Sequence, residues 1–490
     1  MDRPLPLQRR IAIVDRGQGA MRVVQAVREL RHEATGDGAA PSTIVFHGPA
    51  DAGATFVREA DEAAQVEGLS PGSIGALDAA LRHAGPTDVW VGWGPWSLDV
   101  DVARAGADAG ARLIGFDAAA LDRVGPSGLR AAAATADLPV APPDEEGDGS
   151  AEVRFEVTVL IDGSGAASAQ LPRSCTRRFG SEPAIEESGC AGRDPNEGAC
   201  LRAAAERMCV AAGLRRCATV SLLMRPGGVP RVVAVRPGVG PGHPATESVT
   251  GTDLVKAQLR LADGATLADV LGAPPVAVRG WALSAFLAVP HPAIVFARAP
   301  GTIQLLRLPT GPGLRVDPVV FEGDVLTASS DPNLAIVTAV GTDRAEAVAR
   351  LRRGLTDAAI FIPGARSTDA SLIAALERTE RADANGSISL GATSPPEEAA
   401  PFADVALVQA AIDASDADAA DERRAFLASA ARGRPAVGTA IDRAVELRYR
   451  GRHYEFLVRR LGAEEYRLAI DGLDIAARLR RFGRSEGRLR

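Results

Sequence analysis

The residue types able to do chemistry are thinly spread in this chain, and one is nearly absent: Lys256 is the sole lysine among 55 Lys and Arg residues. An ammonium is a compact point charge on a flexible stem, suited to holding phosphates or to titrating when buried, and arginine's planar, permanently charged fork does not replace it. An Ala-, Gly- and Arg-rich composition accounts for lysines lost from a surface, but not for losses where a mechanism requires an ammonium. Cys175, Cys190, Cys200, Cys209 and Cys217 fall in one segment without a C-x-x-C pair. They read as buried, reduced thiols of a cytosolic protein, with a metal site as the alternative. His47, His83, His291 and His453 have no carboxylate or cysteine at ligand spacing, so neither a zinc site nor a nucleophile triad is indicated. Trp90, Trp93 and Trp96 in VWVGWGPWSLD could face a ligand; the expected reading is packing at the C-terminal edge of a sheet. The run GVGPGHP from Gly238 to Pro244 suggests an anion loop, but its prolines remove amide donors and no helix start is expected after it, so a flexible loop is predicted.

The elements that must position these residues follow from periodicity. RIAIVD, Arg10 to Asp15, meets Gly17 and Gly19 and then Met21, Val23, Val24, Val27 and Leu30 at helical spacing, which predicts strand, tight turn and helix. Further strands are expected at Thr43 to His47, Asp88 to Val91 and Arg112 to Gly115, with alanine-rich helices between them: a Rossmann-like, doubly wound α/β domain over residues 1–141. PPDEEGDGS, residues 142–150, reads as an acidic linker. Residues 151–273 predict a smaller α+β domain, with strands at Val153 to Asp162, Thr219 to Met224 and Val229 to Val235 and a helix at Glu197 to Ala212. Residues 274–378 are strand-rich and end in a helix at Arg344 to Thr356, residues 379–435 read as linker and a short helical segment, and residues 436–490 as a β-rich tail of successive hairpins.

At 490 residues the chain is long enough for two to four structural units. A net charge of -7 offers no long-range attraction for nucleic acid or anionic lipid, although the final stretch is locally basic. No apolar run approaches a membrane span, and MDRPLPLQRR lacks a signal-peptide core, so a cytoplasmic location is expected, with neither nucleic acid nor membrane as partner.

Five stretches carry a resemblance. RIAIVDRGQGAMRVVQAVREL, with Arg16, Gly17, Ala20, Arg22, Ala26, Glu29 and Leu30, resembles the opening strand and helix of the biotin carboxylase family. ADAGATFVREADEA, residues 50–63, is similar to a second motif of that family. GHPATESVTGTDLVKAQLRLADG, residues 242–264, is a long and specific match, and APGTIQLLRLPTGPGLRVD, residues 299–317, resembles a further motif. The tail from Ala444 to Gly472 looks like the start of the domain that joins biotin carboxylase to the carboxyltransferase in acyl-CoA carboxylase α chains. The resemblance implies an ATP-grasp carboxylase core: a biotin carboxylase N-terminal-like domain, a reduced ATP-grasp domain, a biotin carboxylase C-terminal-like domain and a short β-rich tail.

The resemblance also implies where site residues belong. Members of the family make carboxyphosphate from ATP and bicarbonate and then carboxylate biotin, which needs cations on the phosphates, carboxylates on Mg²⁺ and a base with a guanidinium at bicarbonate. The first nucleotide lysine aligns with Ser127 and a later lysine with Pro183, while the family's lid, with its phosphate loop, is replaced where DLPVAP meets the acidic linker. The two metal carboxylates align with Ser221 and Ala234, the bicarbonate arginine with Gly238 and the base with Gly242; the neighbouring asparagine and glutamine become Arg236 and Gly240. His243, Pro244, Thr246 and Glu247 are kept, and Arg315 is the one retained polar site residue.

The expectation is therefore a catalytically inactive, structural or regulatory biotin-carboxylase-like subunit, partnered by the α chain or carboxyltransferase of a biotin-dependent acyl-CoA carboxylase. No cofactor is expected, and no M-K-M-type tripeptide is present to carry covalent biotin. Two alternatives stand beside it: a divergent ATP- and Mg-dependent biotin carboxylase using rearranged arginines such as Arg173 and Arg236, or a non-catalytic sensor of acyl-CoA or nucleotide. Gln25 replaces an arginine of the family's dimer helix, which also places homodimerisation in question.

Overall fold

The computed structural model describes residues 9–33, 41–70, 73–142, 152–179, 182–189, 195–225, 227–272, 280–289, 301–327, 333–363, 367–384, 403–433, 442–449, 452–470, 473–481 and 487–489. Two compact units divide at Pro395 and Pro396.

The first unit opens with a parallel sheet of β1 (Arg10–Ile13), β2 (Ser42–His47), β3 (Glu62–Gln65), β4 (Asp88–Trp90) and β5 (Arg112–Ile114) in the order β3-β2-β1-β4-β5. Four of these were readable as apolar runs; β3 was not. Its sequence EAAQ has no β-branched residue because it is an edge strand, bonded only to β2 and largely solvated. A helix, Gly17–Glu33, follows β1 and buries Val23, Val24 and Val27 beside Ile11, Ile13 and Trp90. At its start Gly17 takes φ 57°, a conformation open to glycine at little cost.

The second sheet has nine strands and runs through most of residues 152–341. It comprises β6 (Val153–Ile161), β7 (Ala167–Ala169), β8 (Arg173–Phe179), β9 (Glu182–Gly189), β10 (Arg216–Met224), β11 (Arg231–Pro237), β12 (Trp281–Ala288), β15 (Leu314–Pro318) and β17 (Asn333–Gly341). The short pairs β13 (Gly301–Thr302) with β16 (Val325–Leu326), and β14 (Leu305–Arg307) with β18 (Ala359–Phe361), lie outside it. Its order is β11-β10-β6-β8-β9-β12-β17-β15, with β7 on β6, so the sheet passes across residues 273 and 274 through the β9–β12 pairing. Trp281 seals that junction, its Nε1 donating to Glu187 across 94 residues of sequence at 3.3 Å. One face of β6 and β10 packs Val157, Val159, Ala218, Val220 and Leu222 on the helix Pro195–Ala211. On β12 and β17, Leu283, Ala285, Val337 and Ala339 pack on the helix Arg344–Asp357.

Pro139 and Ala141 run beside β11: Ala141 N–H donates to Val232 O at 2.8 Å, and Val232 N–H to Pro139 O at 2.8 Å. The acidic linker that follows lies, from residue 143, outside the described residues. Residues 379–384, expected as linker, instead extend the helix Asp369–Ala384. The thiols also depart from expectation. Cys209 and Cys217 are buried, but Cys175 is half-buried and Cys200 exposed, on the solvent side of a helix whose Leu201, Ala204 and Met208 face the core; Cys190 lies outside the described residues.

The second unit pairs a helix, Ala403–Ala430, with an antiparallel sheet of β19 (Arg443–Tyr449), β20 (Arg452–Arg460), β21 (Glu465–Ile470), β22 (Leu473–Arg481) and β23 (Gly487–Leu489) in sequential order. The hairpins match expectation. The helix, expected to be short, has 28 residues. Its Val408, Ala411 and Ile412 cover the apolar face formed by Val445, Phe456, Val458, Tyr466 and Leu468. Among the described residues no helix is long and apolar enough to cross a membrane.

Candidate functional site

Strand register brings the two expected metal positions together. Ser221 on β10 lies opposite Ala234 on β11, and on its other side opposite Glu156 on β6. Two carboxylates at Ser221 and Ala234 would share one spot, as ligands of a single cation must. A hydroxyl and a methyl stand there instead, and the Ser221 hydroxyl lies 2.8 Å from both oxygens of the buried Glu156 carboxylate. Arg154 Nε lies 3.5 Å from the same carboxylate. Glu156 escaped sequence reasoning, although an acid amid the apolar run VRFEVTV was a signal that it had a buried partner. Among the described residues no group of three or more His, Cys, Asp and Glu is placed to hold a metal ion.

The strand then turns through Gly238 and Gly240, both with positive φ, to Gly242. The expected flexible loop is in fact anchored and runs straight into a helix, His243–Thr250, with Pro244 in its first turn, where a missing N–H costs nothing. Thr219 Oγ1 donates to Gly238 O at 2.8 Å, Gly238 N–H donates to Cys217 O at 3.2 Å, and Gln18 Nε2 donates to Pro241 O at 3.4 Å. Beneath the loop lies Arg173, 1% exposed and fully engaged. Its Nε donates to Glu186 at 3.0 Å, Nη1 to Thr158 and Thr246 at 3.0 and 3.3 Å, and Nη2 to Val239 O at 3.3 Å. Arg173 is therefore not a spare cation for a phosphate; Arg236 is exposed on β11, opposite Thr219.

His243 and Glu247, one turn apart on that helix, are brought together with Arg315 of β15. The His243 ring is fully buried, tilted on Trp93 at 5.1 Å, and its Nδ1 donates to Gly240 O at 2.9 Å. Burial, with Arg315 and Arg22 nearby, pushes its pKa down to about 3, so the ring is neutral. Glu247 accepts from Arg315 Nη1 and from Leu254 N–H, both at 2.7 Å, with Arg22 at 4.0 Å. Burial raises the Glu247 pKa against the pull of both guanidiniums. The Asp317 carboxylate grips the other edge of Arg315, with contacts of 2.9 to 3.2 Å. Arg315 is half-buried in a groove of about 430 Å³ that it shares with Arg22, Gln25, Glu29, Glu247 and Asp317. Beside that groove Lys256 bridges to Glu29 at 2.5 Å and Glu33 at 2.8 Å.

The other expected positions stand apart. Ser127 is exposed in the first turn of the helix Pro126–Thr135, and Pro183 lies on β9, opposite Arg178. Arg16 forms a buried ion pair with Asp51 at 2.5 Å, and Gly17 begins the first helix. At the crevice between β1 and β4, where strand order reverses and such folds place ligands, Asp15 fills the space itself. It accepts from Arg16 N–H at 2.8 Å and Trp93 N–H at 3.2 Å, and a Cβ at Gly19, Gly92 or Gly94 would come within 2.1 Å of its carboxylate. Trp90 and Trp96 are core residues, and Trp93 Nε1 donates to Gln18 at 3.2 Å, so the tryptophans pack and clamp the loop.

Comparison with known proteins finds three domain matches along the chain. Residues 7–121 match the biotin carboxylase N-terminal domain, residues 151–270 the ATP-binding domain of the carbamoyl-phosphate synthase L chain, and residues 290–389 the biotin carboxylase C-terminal domain. The chain is 32% identical over 202 residues to Biotin carboxylase of Pseudomonas aeruginosa, covering 41% of this chain and 44% of that protein. It is 26% identical over 422 residues to the Biotin-dependent acyl-coenzyme A carboxylase alpha3 subunit of Mycobacterium leprae, covering 71% of this chain and 68% of that protein. A Rhizobium etli pyruvate carboxylase variant with the allosteric activator acetyl coenzyme-A superposes with a TM-score of 0.68 at 25% identity, over 78% of this chain and 38% of that one. The chain thus spans less than half of the Pseudomonas protein and a quarter of Biotin carboxylase 1 of Bacillus subtilis, at 25%.

Proposed function

Because the chain belongs to the biotin carboxylase family, we infer that it serves as a biotin-carboxylase-like subunit of a biotin-dependent acyl-CoA carboxylase complex, structural or regulatory rather than catalytic. The observation that carries this reading is the Ser221–Ala234 pair: in register, adjacent, and with no carboxylate at either position. A hydroxyl already engaged by Glu156 and a methyl group do not fit Mg²⁺, which takes anionic oxygen ligands in near-octahedral geometry. The cation side supports the same reading. Ser127 and Pro183 stand where the family has nucleotide lysines, Gly238 where it has the bicarbonate arginine, and Arg173 is saturated inside the protein.

The retained parts support a partner role. The charged chain from Arg22 through Glu247 to Arg315 holds together the segments on which the family's site is built. The relative in Mycobacterium leprae that aligns with this chain over 422 residues at 26% identity is itself a subunit of an acyl-coenzyme A carboxylase. In this role the chain carries no biotin and meets an α chain or a carboxyltransferase.

Calorimetric titration with Mg-ATP, followed by phosphate release in the presence of bicarbonate and free biotin, should give no signal above buffer. Sustained release by the purified wild-type chain overturns the non-catalytic reading. Affinity purification from the native host should recover acyl-CoA carboxylase subunits, and their consistent absence overturns the partner role.

A further inference from the structure

We propose that Glu186 is an internal ligand: its carboxylate occupies the small-oxyanion position of an Arg173-centred chamber and closes that chamber to external anions. The chamber is built. Arg173 supplies the guanidinium, Thr158 and Thr246 accept from its Nη1, and the carbonyl of Val239 accepts from its Nη2. Only Nε is directed at an anion, and that anion is Glu186 at 3.0 Å. The Cys175 thiol lies 3.7 Å from the second Glu186 oxygen.

The glycines of the loop make the room. A Cβ built on Gly242 would lie 1.6 Å from the Glu186 Oε2 atom, inside the carboxylate, and one on Gly240 would lie 3.6 Å from Arg173 Nη2. Any side chain at position 242 therefore competes with the Glu186 carboxylate for one volume. Glycine at 242 and the inward carboxylate at 186 are two halves of one arrangement, in which the protein supplies its own anion. Arg173 and Glu186 are almost wholly buried, at 1% and 2% exposure, so neither is available to solvent while the pair is intact. Glu156 is the other carboxylate near the pair, tied to Ser221 and Arg154. The chemistry that fits the vacated position is a planar monoanion of one or two carbons, such as formate, acetate or bicarbonate, able to accept the Arg173 Nε–H.

This deepens the non-catalytic reading and takes its meaning from it, but its test uses neither nucleotide nor partner subunits, so each can fail alone. Glu186→Ala opens the chamber and strands the guanidinium. Its melting temperature should fall, then rise by roughly 2–4 °C with formate, acetate or bicarbonate relative to chloride at equal ionic strength. The wild type should not respond, and neither should Glu186→Met, which removes the charge but fills the space. If Glu186→Ala does not fold, its refolding yield should recover with formate and not with chloride. A double-mutant cycle gives a second reading: Gly242→Ala should cost less in the Glu186→Ala background than in the wild type. Equal responses of Glu186→Ala and wild type to the small anions, no recovery of an unfolded variant, or strict additivity of the cycle each overturns the proposal.

Discussion

His243 shows how a single buried ring can set an acid limit on the fold. Its pKa is depressed to about 3, whereas in the unfolded chain it titrates near the ordinary value of 6.5. Between those values the unfolded state binds a proton that the folded state refuses, so stability is lost as pH falls from about 6.5 towards 3, by up to about 1.4 kcal/mol per pH unit. The buried Glu186 and Glu247, whose pKa values burial raises, act in the opposite sense, so the difference between variant and wild type is the informative quantity. His243→Asn should flatten the fall in urea-unfolding free energy between pH 6.5 and 4; an unchanged slope would show that the ring does not carry it. Arg315→Met leaves the buried Glu247 carboxylate with the Leu254 N–H and, as its cation, the more distant Arg22, and should cost roughly 2–3 kcal/mol in the same measurement. The double variant Glu247→Gln, Arg315→Met should cost less than Arg315→Met alone. Much of this was legible: His243, Glu247 and Arg315 stood out by motif. Glu156 and Asp15 did not, because a buried acid is recognised by its partner, and each partner or cradle lies on another element.

At the scale of elements, the long sheet depends on cross-strand pairs of which sequence shows only one half. Ser284 on β12 and Thr338 on β17 are fully buried and share a hydroxyl–hydroxyl bond of 2.7 Å. Removing one hydroxyl leaves the other unsatisfied, so Ser284→Ala should cost roughly 1–3 kcal/mol, while Ser284→Ala with Thr338→Val should recover most of it. A double variant no better than the single would argue that packing, not the hydroxyl pair, is at stake. The apolar runs of β6, β10 and β12 were readable because period and composition are local properties. The β9–β12 junction was not, since register between distant strands is fixed by side-chain packing such as Trp281 against Gly189, which only the assembled sheet provides. The helix start at His243 was missed for a related reason: its glycine-proline lead-in reads as a breaker until Trp93 and Gln18 are seen to hold the loop.

Over the whole molecule, the chain divides at Pro395 and Pro396 into two compact units, each with buried clusters of its own. Independent cores melt independently. Scanning calorimetry should resolve more than one transition, and a chain ending at residue 395 should keep the midpoints of its own unit; a single two-state transition lost on truncation would refute this. The tail of the second unit was legible as successive hairpin strands, whereas the helix that completes it was expected to be short. Alanine-rich, charged segments carry a weak helical stripe, and the burial of Val408, Ala411 and Ile412 becomes evident only against the sheet they cover.

The Lys256 bridge has a practical corollary for anyone mapping this chain within an assembly. Amine-directed crosslinkers meet a single side-chain handle in the whole polypeptide, and Glu29 and Glu33 already hold it protonated, in the unreactive state. The exposed thiol of Cys200 offers the better tether.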